Sequence, residues 1–275
     1  HWLSSTFWRS AGDTLNWGIL WSGLSGGHCP LRTSGSRSQS ANRTMRAMIL
    51  AAGLGKRMQP LTANLPKPLL QVGGKSLIER QIDRLKDAGV TEFVINHFYL
   101  GQMIEEHLGD GSALGVKIIY SREPIQLETA GGIIKSLPKL QDESFIVVNA
   151  DVWSDFDFSS LQPVDGVDRL AHLVLVRNAE HNPLGDFHID DRGRVHEDPD
   201  TEGERLTFSG ISVMHRNLFA GLPIQPMSVI PLLQQAMSEN KVSGEIHSGV
   251  WVDVGTPERL QEVQKGYAAS GEDAP

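Results

Sequence analysis

A short apolar run interrupted by two glycines constrains the fold of this chain more than any other feature. Residues 47–52 read Ala-Met-Ile-Leu-Ala-Ala, which is typical of a buried strand in a parallel sheet. Gly53 and Gly55 follow, and glycine permits sharp turns that expose backbone N–H groups to a ligand. Because Lys56 and Arg57 come next, the sequence predicts an anion-binding loop. An ordinary glycine-rich turn with solvated basic residues is the alternative.

Two familiar phosphate-binding motifs do not match this glycine loop (residues 53–57). The dinucleotide fingerprint needs a third glycine, where this chain has Met58. The P-loop needs a longer spacing between its glycines and then Lys-Ser or Lys-Thr, which this loop lacks. A plain dinucleotide-binding protein is therefore excluded. A third cation, Lys67 between Pro66 and Pro68, favours a polyphosphate ligand.

The rest of the chain alternates apolar strands with amphipathic helices. Ser76 is placed to cap a helix that Gly89 ends. Further strands are predicted at residues 90–96, 116–120 and 145–149, and further helices at 102–107 and 129–137. This order predicts an α/β fold with a doubly wound, mostly parallel, Rossmann-like sheet and right-handed crossovers. Ligands of such sheets bind at the carboxyl ends of the strands.

Two aspartates that are distant in the chain each follow a predicted strand. Asp151 comes after residues 145–149, and Asp253 comes after the apolar residues 250–252. Mg²⁺ takes few protein oxygens and completes its octahedron with water and phosphate, so this pair suits Mg²⁺. Strand-end aspartates also cap helices and turns, and residues 255–257 start a helix, so this structural alternative stays open.

Composition excludes several classes of protein. The chain has 275 residues, is 40% hydrophobic and carries a formal net charge of −8. These values suit one packed α/β domain and disfavour general nucleic-acid binding. No apolar run reaches the roughly 18 residues of a membrane span, and the histidines lack the spacing of a zinc site. The sequence leaves open a monomer or a small homo-oligomer.

The first 44 residues differ in composition from the rest. They contain four of the six tryptophans, the single cysteine, Cys29, and four arginines against one aspartate. We interpret residues 1–44 as a disordered extension or a misassigned upstream translation, and residues 45–275 as the domain. Because that domain has no cysteine, we expect a cytoplasmic protein without disulfides.

Residues 50–62 and 66–68 resemble the signature of the sugar-1-phosphate nucleotidyltransferases. The signature reads Leu-Ala-Ala-Gly-x-Gly-x-Arg-Met-x-Pro-Leu-Thr, then Pro-Lys-Pro, and this chain matches it in order and spacing. The resemblance implies that Arg57, Lys67 and Asp151 are catalytic and that Asp151 and Asp253 hold Mg²⁺. The nucleotide-binding residues it implies are Ala52, Gly53, Gly55, Lys56, Arg57, Lys67 and Asn149. The C-terminal β-helix that some relatives carry is not expected here.

Four further segments are similar to the bacterial N-acetylmuramate-1-phosphate uridylyltransferases of cell-wall recycling. They are residues 107–112, 185–187, 206–212 and 243–245. This resemblance implies UTP and a sugar 1-phosphate as substrates. The alternatives are a mannose-1-phosphate guanylyltransferase or a glucose-1-phosphate thymidylyltransferase, whose Glu-Lys-Pro motif is missing here. An inactive regulatory subunit is a remoter alternative, because the signature cations and both aspartates are present.

The resemblance also implies contacts with the sugar and the base. The substrate-binding candidates are Glu128, Gly131, Asn149, Asp186 and Gly210. Glu128 stands where the family usually has glycine, before small residues that open a helix and favour an anion at its N-terminus. A tight helix start packed under the sheet explains those small residues equally well. Asp186 is equally explained as a turn residue. The lactyl carboxylate of muramic acid needs a cation, and Arg122 and Arg205 are the candidates to bind it. The alternative for each arginine is a solvated surface position.

Overall fold

The computed structural model describes residues 45–197 and 203–270. Residues 1–44, 198–202 and 271–275 lie outside this description. The interpretation of the first 44 residues, including Cys29, therefore concerns residues that are not described.

The described residues form five α-helices and thirteen strands. The helices are α1 (Leu77–Asp87), α2 (Gly101–Leu108), α3 (Glu128–Leu140), α4 (Ile230–Ser238) and α5 (Pro257–Ser270). The strands are β1 (Ala47–Leu50), β2 (Gln71–Val72), β3 (Lys75–Ser76), β4 (Glu92–His97), β5 (Lys117–Arg122), β6 (Ser144–Asn149), β7 (Val152–Ser154), β8 (Ala171–Val176), β9 (Phe187–Ile189), β10 (Val195–His196), β11 (Glu204–His215), β12 (Val242–His247) and β13 (Trp251–Asp253).

The main sheet is mixed but mostly parallel. Its strands run in the order β12-β8-β11-β6-β1-β4-β5, and β9 and β10 continue from the start of β11. β1 is parallel to β4 and β6, β4 is parallel to β5, and β8 is parallel to β12. The long β11 runs antiparallel to both β6 and β8. The predicted doubly wound, mostly parallel α/β sheet is confirmed.

Helices cover both faces of this sheet. Ala47 and Ile49 on one face of β1 belong to the same buried cluster as Ile82 of α1. Met48 points to the other face and belongs to a second buried cluster with Ile133 of α3. Because successive side chains of a strand alternate between faces, a strand buried on both faces needs an uninterrupted apolar run. The sequence 47–52 supplies that run.

The helix ends follow the local sequence signals in most places. Ser76 Oγ accepts a hydrogen bond from Glu79 N at 3.3 Å, and Glu79 Oε2 accepts one from Ser76 N at 2.8 Å. This capping box starts α1, and Gly89 at φ 92° follows its end, as predicted. The end of α3 was predicted three residues too early, because the helix continues through Pro138 to Leu140.

A small two-stranded sheet brings the last strand to the carboxyl edge of the main sheet. β13 pairs antiparallel with β7, so Asp253 lies opposite Val152. The helix α5 that follows packs back on this region, where the Arg80 guanidinium contacts the rings of both Trp153 and Tyr267. Cation–π contacts of this kind stabilise a buried guanidinium such as that of Arg80.

Within residues 45–197 and 203–270, no helix combines the length and the apolar character that a membrane span requires.

Candidate active site

The glycine loop follows β1 at the carboxyl edge of the sheet, where α/β sheets of this kind form the crevice that binds ligands. Gly55 adopts φ 59°, and its carbonyl oxygen accepts a hydrogen bond from Thr62 Oγ1 at 2.7 Å. A Cβ atom at Gly53 would meet no described atom within 4 Å. The backbone N–H groups of residues 52–56 make no hydrogen bond to the described part of the chain. These amides are therefore available to an anion, as the sequence predicts.

A buried Asn–Glu pair lies beneath this loop. Asn96 Oδ1 accepts Ala51 N at 3.1 Å, and Asn96 Nδ2 donates to Glu123 Oε1 at 2.7 Å. The second Glu123 oxygen accepts Leu127 N at 2.9 Å. Burial raises the pKa of the Glu123 carboxyl group. One carboxyl group thus connects the base of the glycine loop to the start of α3, and our sequence analysis missed it. Asn96 and Glu123 are polar residues at the ends of the neighbouring apolar strands β4 and β5, and this position was the sequence signal that could have indicated the pair.

Lys67 reaches the crevice from the Pro-Lys-Pro segment. Pro66 and Pro68 restrict the backbone on both sides of it. Lys67 Nζ forms an ion pair with Asp151 Oδ2, and the lysine side chain is only 12% exposed. The backbone carbonyl of Asp151 accepts Val254 N at 2.8 Å, which connects the segments before β7 and after β13.

The two predicted metal-binding aspartates come from adjacent segments of the structure. Pairing of β7 with β13 brings Asp253 beside the residue that follows Asp151. The alternative helix-capping role is taken by Thr256, whose Oγ1 accepts Arg259 N at 3.4 Å. Within the described part of the chain, the Asp253 carboxylate does not cap the helix; its Oδ1 forms an ion pair with Arg259 Nη1.

The donor set is compatible with a hard divalent cation. Asp151 and Asp253 offer carboxylate oxygens, and no group of three or more His, Cys, Asp or Glu side chains suited to a metal occurs among the described residues. Mg²⁺ is typically bound by one or two carboxylates together with substrate phosphates, so two aspartates suffice. Cations that prefer an all-protein cage fit this pair less well.

Arg259 is a site residue that our sequence analysis missed. Burial and then the charge of Arg57 lower the pKa of its guanidinium, whereas Asp151 acts in the opposite direction. His181 Nε2 lies 3.0 Å from Arg259 Nη1 and 3.2 Å from Asp253 Oδ1. Burial, followed by the charges of Arg259 and Arg57, lowers the pKa of His181 as well. The available signal was an arginine in the first turn of the helix after Asp253.

Asn149 and Gly210 approach each other where β6 pairs with β11. Gly210 adopts φ 79° within the irregular part of β11, between Phe208 and Ser212. A Cβ atom at Gly210 would lie 2.5 Å from Asn149 Nδ2. Glycine at this position therefore leaves room for the Asn149 side chain. The structure brings these two predicted substrate-binding residues together.

Asp186 anchors the segment that follows β8 to the irregular part of β11. Its Oδ2 accepts Phe208 N at 2.8 Å, and its Oδ1 accepts Asn182 Nδ2 at 3.1 Å. Trp251 Nε1 donates a hydrogen bond to the carbonyl oxygen of Ser209, the residue after Phe208, at 2.9 Å. Both Asp186 oxygens thus have partners within the chain, which explains the residue structurally. A contact between Asp186 and the sugar stays a prediction.

The start of α3 is explained by packing. Ala130 N and Gly131 N both donate to Met227 O, at 2.8 and 3.3 Å, so these amides are not free for an anion. A Cβ atom at Gly131 would lie 2.2 Å from Gln225 O. For Ala130 and Gly131 these contacts favour the packing alternative. Glu128 adopts φ 58°, a conformation in which glycine is unstrained. Substrate contacts of Glu128 and Gly131 stay predictions.

The two arginines considered for a lactyl carboxylate differ in their surroundings. Arg122 makes two charge-assisted hydrogen bonds to Glu105, at 2.6 and 2.5 Å, and its side chain is 76% exposed. The Glu105 carboxylate also contacts His97 Nε2 at 2.6 Å. Arg205 lies exposed on β11, opposite His188. Arg122 already has an anionic partner, which disfavours it as a substrate cation.

The fold and the site together define an α/β protein of the nucleotide-binding class, with cations and carboxylates gathered at the glycine loop. The chain belongs to the nucleotidyl transferase family, whose model matches residues 46–270. This finding confirms the resemblance that the glycine loop and the Pro-Lys-Pro segment carry.

Similar proteins were found among curated sequences and solved structures. The chain is 50% identical over 226 residues to the N-acetylmuramate alpha-1-phosphate uridylyltransferase of Neisseria meningitidis serogroup B, covering 80% of this chain and 97% of that protein. It is 34% identical to the protein of the same name from Caulobacter vibrioides, covering 77% and 92% of the two chains. The crystal structure of HddC from Yersinia pseudotuberculosis superposes with a TM-score of 0.67 at 21% identity, covering 81% of this chain and 99% of that one. That likeness supports the fold alone.

Proposed function

We propose that this chain transfers the uridylyl group of UTP to N-acetylmuramic acid 1-phosphate, giving UDP-N-acetylmuramate and pyrophosphate. The observation that carries the chemistry is the convergence of Lys67, Asp151, Asp253 and Arg259 beside the open amides of the glycine loop. The choice of substrates is supported by the similarity to two relatives that carry this activity in their names.

The reaction needs little covalent chemistry from the protein. A phosphate oxygen of the sugar 1-phosphate attacks the α-phosphorus of UTP in line, the bond from that phosphorus to the bridging β-oxygen breaks, and pyrophosphate leaves. The attacking phosphate is already ionised, so no general base is required. Positioning of the reactants and stabilisation of negative charge then supply most of the catalysis.

Each part of the site contributes to that positioning. We assign the amides of residues 52–56, together with Lys56 and Arg57, to the triphosphate. Lys67 is assigned to the reacting phosphates, because its ammonium group lies at Asp151. Asn149 is assigned to the edge of the nucleotide or sugar above Gly210.

The divalent cation that this kind of transfer uses is proposed to be Mg²⁺. Asp151 and Asp253 would hold it, and it would supply charge neutralisation for the crowded phosphate oxygens. We further propose that the enzyme works in the cytoplasm, where UTP is available, and that its product returns N-acetylmuramic acid to cell-wall synthesis.

One substrate survey tests the proposed function. The full chain with Mg²⁺ is offered each nucleoside triphosphate against N-acetylmuramic acid, N-acetylglucosamine, glucose and mannose 1-phosphates, and pyrophosphate release is followed. The fastest turnover is expected with UTP and N-acetylmuramic acid 1-phosphate. Fastest turnover with GTP and mannose 1-phosphate, or with dTTP and glucose 1-phosphate, would overturn the uridylyl assignment.

A further inference from the structure

Arg259 has hydrogen-bond donors that the described chain does not use. Its side chain is 14% exposed at the start of α5, and its Nη1 contacts Asp253 and His181. A guanidinium carries five N–H donors. The Nε and Nη2 groups of Arg259 make no hydrogen bond within residues 45–197 and 203–270. A half-buried arginine with unused donors is a candidate for binding a ligand anion.

A second guanidinium, that of Arg57 after the glycines of the loop, reaches the same place. A Cβ atom at Gly255 would lie 2.4 Å from Arg259 Nη2 and 3.1 Å from Arg57 Nη2. Both guanidinium ends therefore lie over this glycine. Like charges that converge in a crevice repel each other, and a phosphate bound beside them removes that repulsion. The geometry thus favours an anion next to Gly255.

Both aspartates of the proposed metal site carry a cation from the chain. Lys67 contacts Asp151, and Arg259 contacts Asp253. A divalent cation on the same carboxylate oxygens would compete with these two side chains and repel them. Arg259 would then lie, without its carboxylate partner, at the edge of the phosphate site.

We propose that Arg259 binds the phosphate of the acceptor sugar 1-phosphate, and that it leaves Asp253 when the divalent cation binds there. This proposal rests on the proposed function, because it assigns the acceptor phosphate within the same site. Triphosphate donors come from the glycine loop, whereas Arg259 comes from α5, beside His181 of the segment that also contains Asp186. Arginine can bind a phosphate with two parallel hydrogen bonds, which would orient the attacking oxygen.

The first test measures the affinity for a metal in the absence of nucleotide. Mn²⁺ binding to the full 275-residue chain is followed by electron paramagnetic resonance for the wild type, Arg259→Gln, Arg259→Lys and Lys265→Gln. Lys265 is an exposed residue of the same helix and serves as the matched control. Arg259→Gln is expected to bind Mn²⁺ about threefold to tenfold more tightly, because the competing cation on Asp253 is gone. A purely structural arginine would leave the affinity unchanged or weaken it.

The second test separates the two substrates. In Arg259→Gln the KM for the sugar 1-phosphate is expected to rise about tenfold or more, as for a lost hydrogen bond to a charged group. The KM for UTP should change far less. Arg259→Lys should fall between the wild type and Arg259→Gln, because lysine keeps the charge but loses the two parallel hydrogen bonds. Lys265→Gln should match the wild type in both constants.

The possible outcomes distinguish this inference from the proposed function. Unchanged or weaker Mn²⁺ binding by Arg259→Gln overturns the exchange at Asp253, whichever substrates the enzyme uses. A KM for UTP that rises as much as the KM for the acceptor overturns the assignment to the acceptor phosphate. If the wild type prefers another sugar 1-phosphate, the proposed function fails, and the same comparison with that acceptor still tests Arg259.

Discussion

Lys67 forms an ion pair with Asp151 inside the crevice, and the two prolines beside the lysine restrict the segment that presents it. The lysine is only 12% exposed, so the pair is partly removed from water. Removing one partner of a partly buried pair leaves an uncompensated charge. The proposed metal site and the proposed phosphate site would therefore be coupled at this pair.

We predict that Asp151→Asn lowers turnover by at least about 100-fold, the scale of losing one well-placed electrostatic contact. The change removes a carboxylate from the proposed metal site and leaves Lys67 without its partner. Pyrophosphate release measures the loss, and circular dichroism checks that the variant folds. Asp155→Asn is the matched control, since Asp155 is exposed and pairs with His247. Near-normal turnover of Asp151→Asn would contradict the metal assignment.

The sequence was sufficient for features that depend on local order. The capped helix after Ser76, the strand before the glycine loop and the strand-end position of Asp151 follow from patterns within a few residues. Strand-end positions singled out the two aspartates, the family resemblance favoured a metal role over a capping role, and β7–β13 pairing brings their two segments together.

The features that the sequence did not predict depend on distant contacts. β11 is antiparallel within a mostly parallel sheet, and no local pattern states the direction of a strand. Arg259 becomes a site residue only because α5 starts beside the crevice, and Glu123 only because Asn96 lies on the neighbouring strand. The close approach of Gln225 to Gly131 likewise joins segments that are far apart in the chain.

Glu123→Gln is expected to lower the free energy of unfolding by about 1–3 kcal/mol, the cost of leaving a buried hydrogen-bonding group mismatched. The Glu123 carboxyl group accepts bonds from Asn96 and Leu127, and glutamine can accept only one of these with its single oxygen. Urea denaturation at neutral pH measures the change. Exposed Glu106→Gln on α2 should leave stability unchanged.

The contribution of Glu123 to the free energy of unfolding should change with pH. Its folded-state pKa is raised by burial, so the folded protein binds this proton more tightly than the unfolded chain does. The stability from this group is present below the unfolded pKa and is lost as pH rises through the raised folded pKa. The advantage of wild type over Glu123→Gln should therefore shrink from acid toward neutral pH. A difference that stays constant with pH would contradict the raised pKa.

Gly210→Ala is expected to lower both stability and activity. Alanine at φ 79° is strained by about 1–2 kcal/mol, and its Cβ would press on the Asn149 amide. Thermal denaturation and the KM values of both substrates measure the two effects. Gly266→Ala in α5 is the matched control, because a Cβ there meets no described atom within 4 Å. That change should stabilise the helix by about 0.5–1 kcal/mol. If Gly210→Ala were as stable as the wild type, the Asn149 side chain would have to move away from the added Cβ atom without cost, which would contradict the prediction.

Arg122→Gln should leave the KM for the sugar 1-phosphate unchanged within about twofold, because Arg122 is an exposed side chain that already pairs with Glu105. Arg205→Gln is measured alongside it, since that arginine is exposed on β11. A large rise in KM for Arg122→Gln with an acceptor that carries a lactyl group, but not with one that lacks it, would return Arg122 to the substrate site.

Glu128→Gly separates a structural role of residue 128 from a role in substrate binding. Glu128 adopts φ 58° at the start of α3, so glycine there should raise the free energy of unfolding by about 1 kcal/mol through relief of backbone strain. If residue 128 acts only through the backbone, both KM values stay at the wild-type level while the melting temperature rises. If its carboxylate contacts the base or the sugar, one KM rises despite the gain in stability. Glu128→Gln, which keeps the strain and removes the charge, completes the comparison: it should leave stability unchanged and reproduce any rise in KM that comes from the carboxylate.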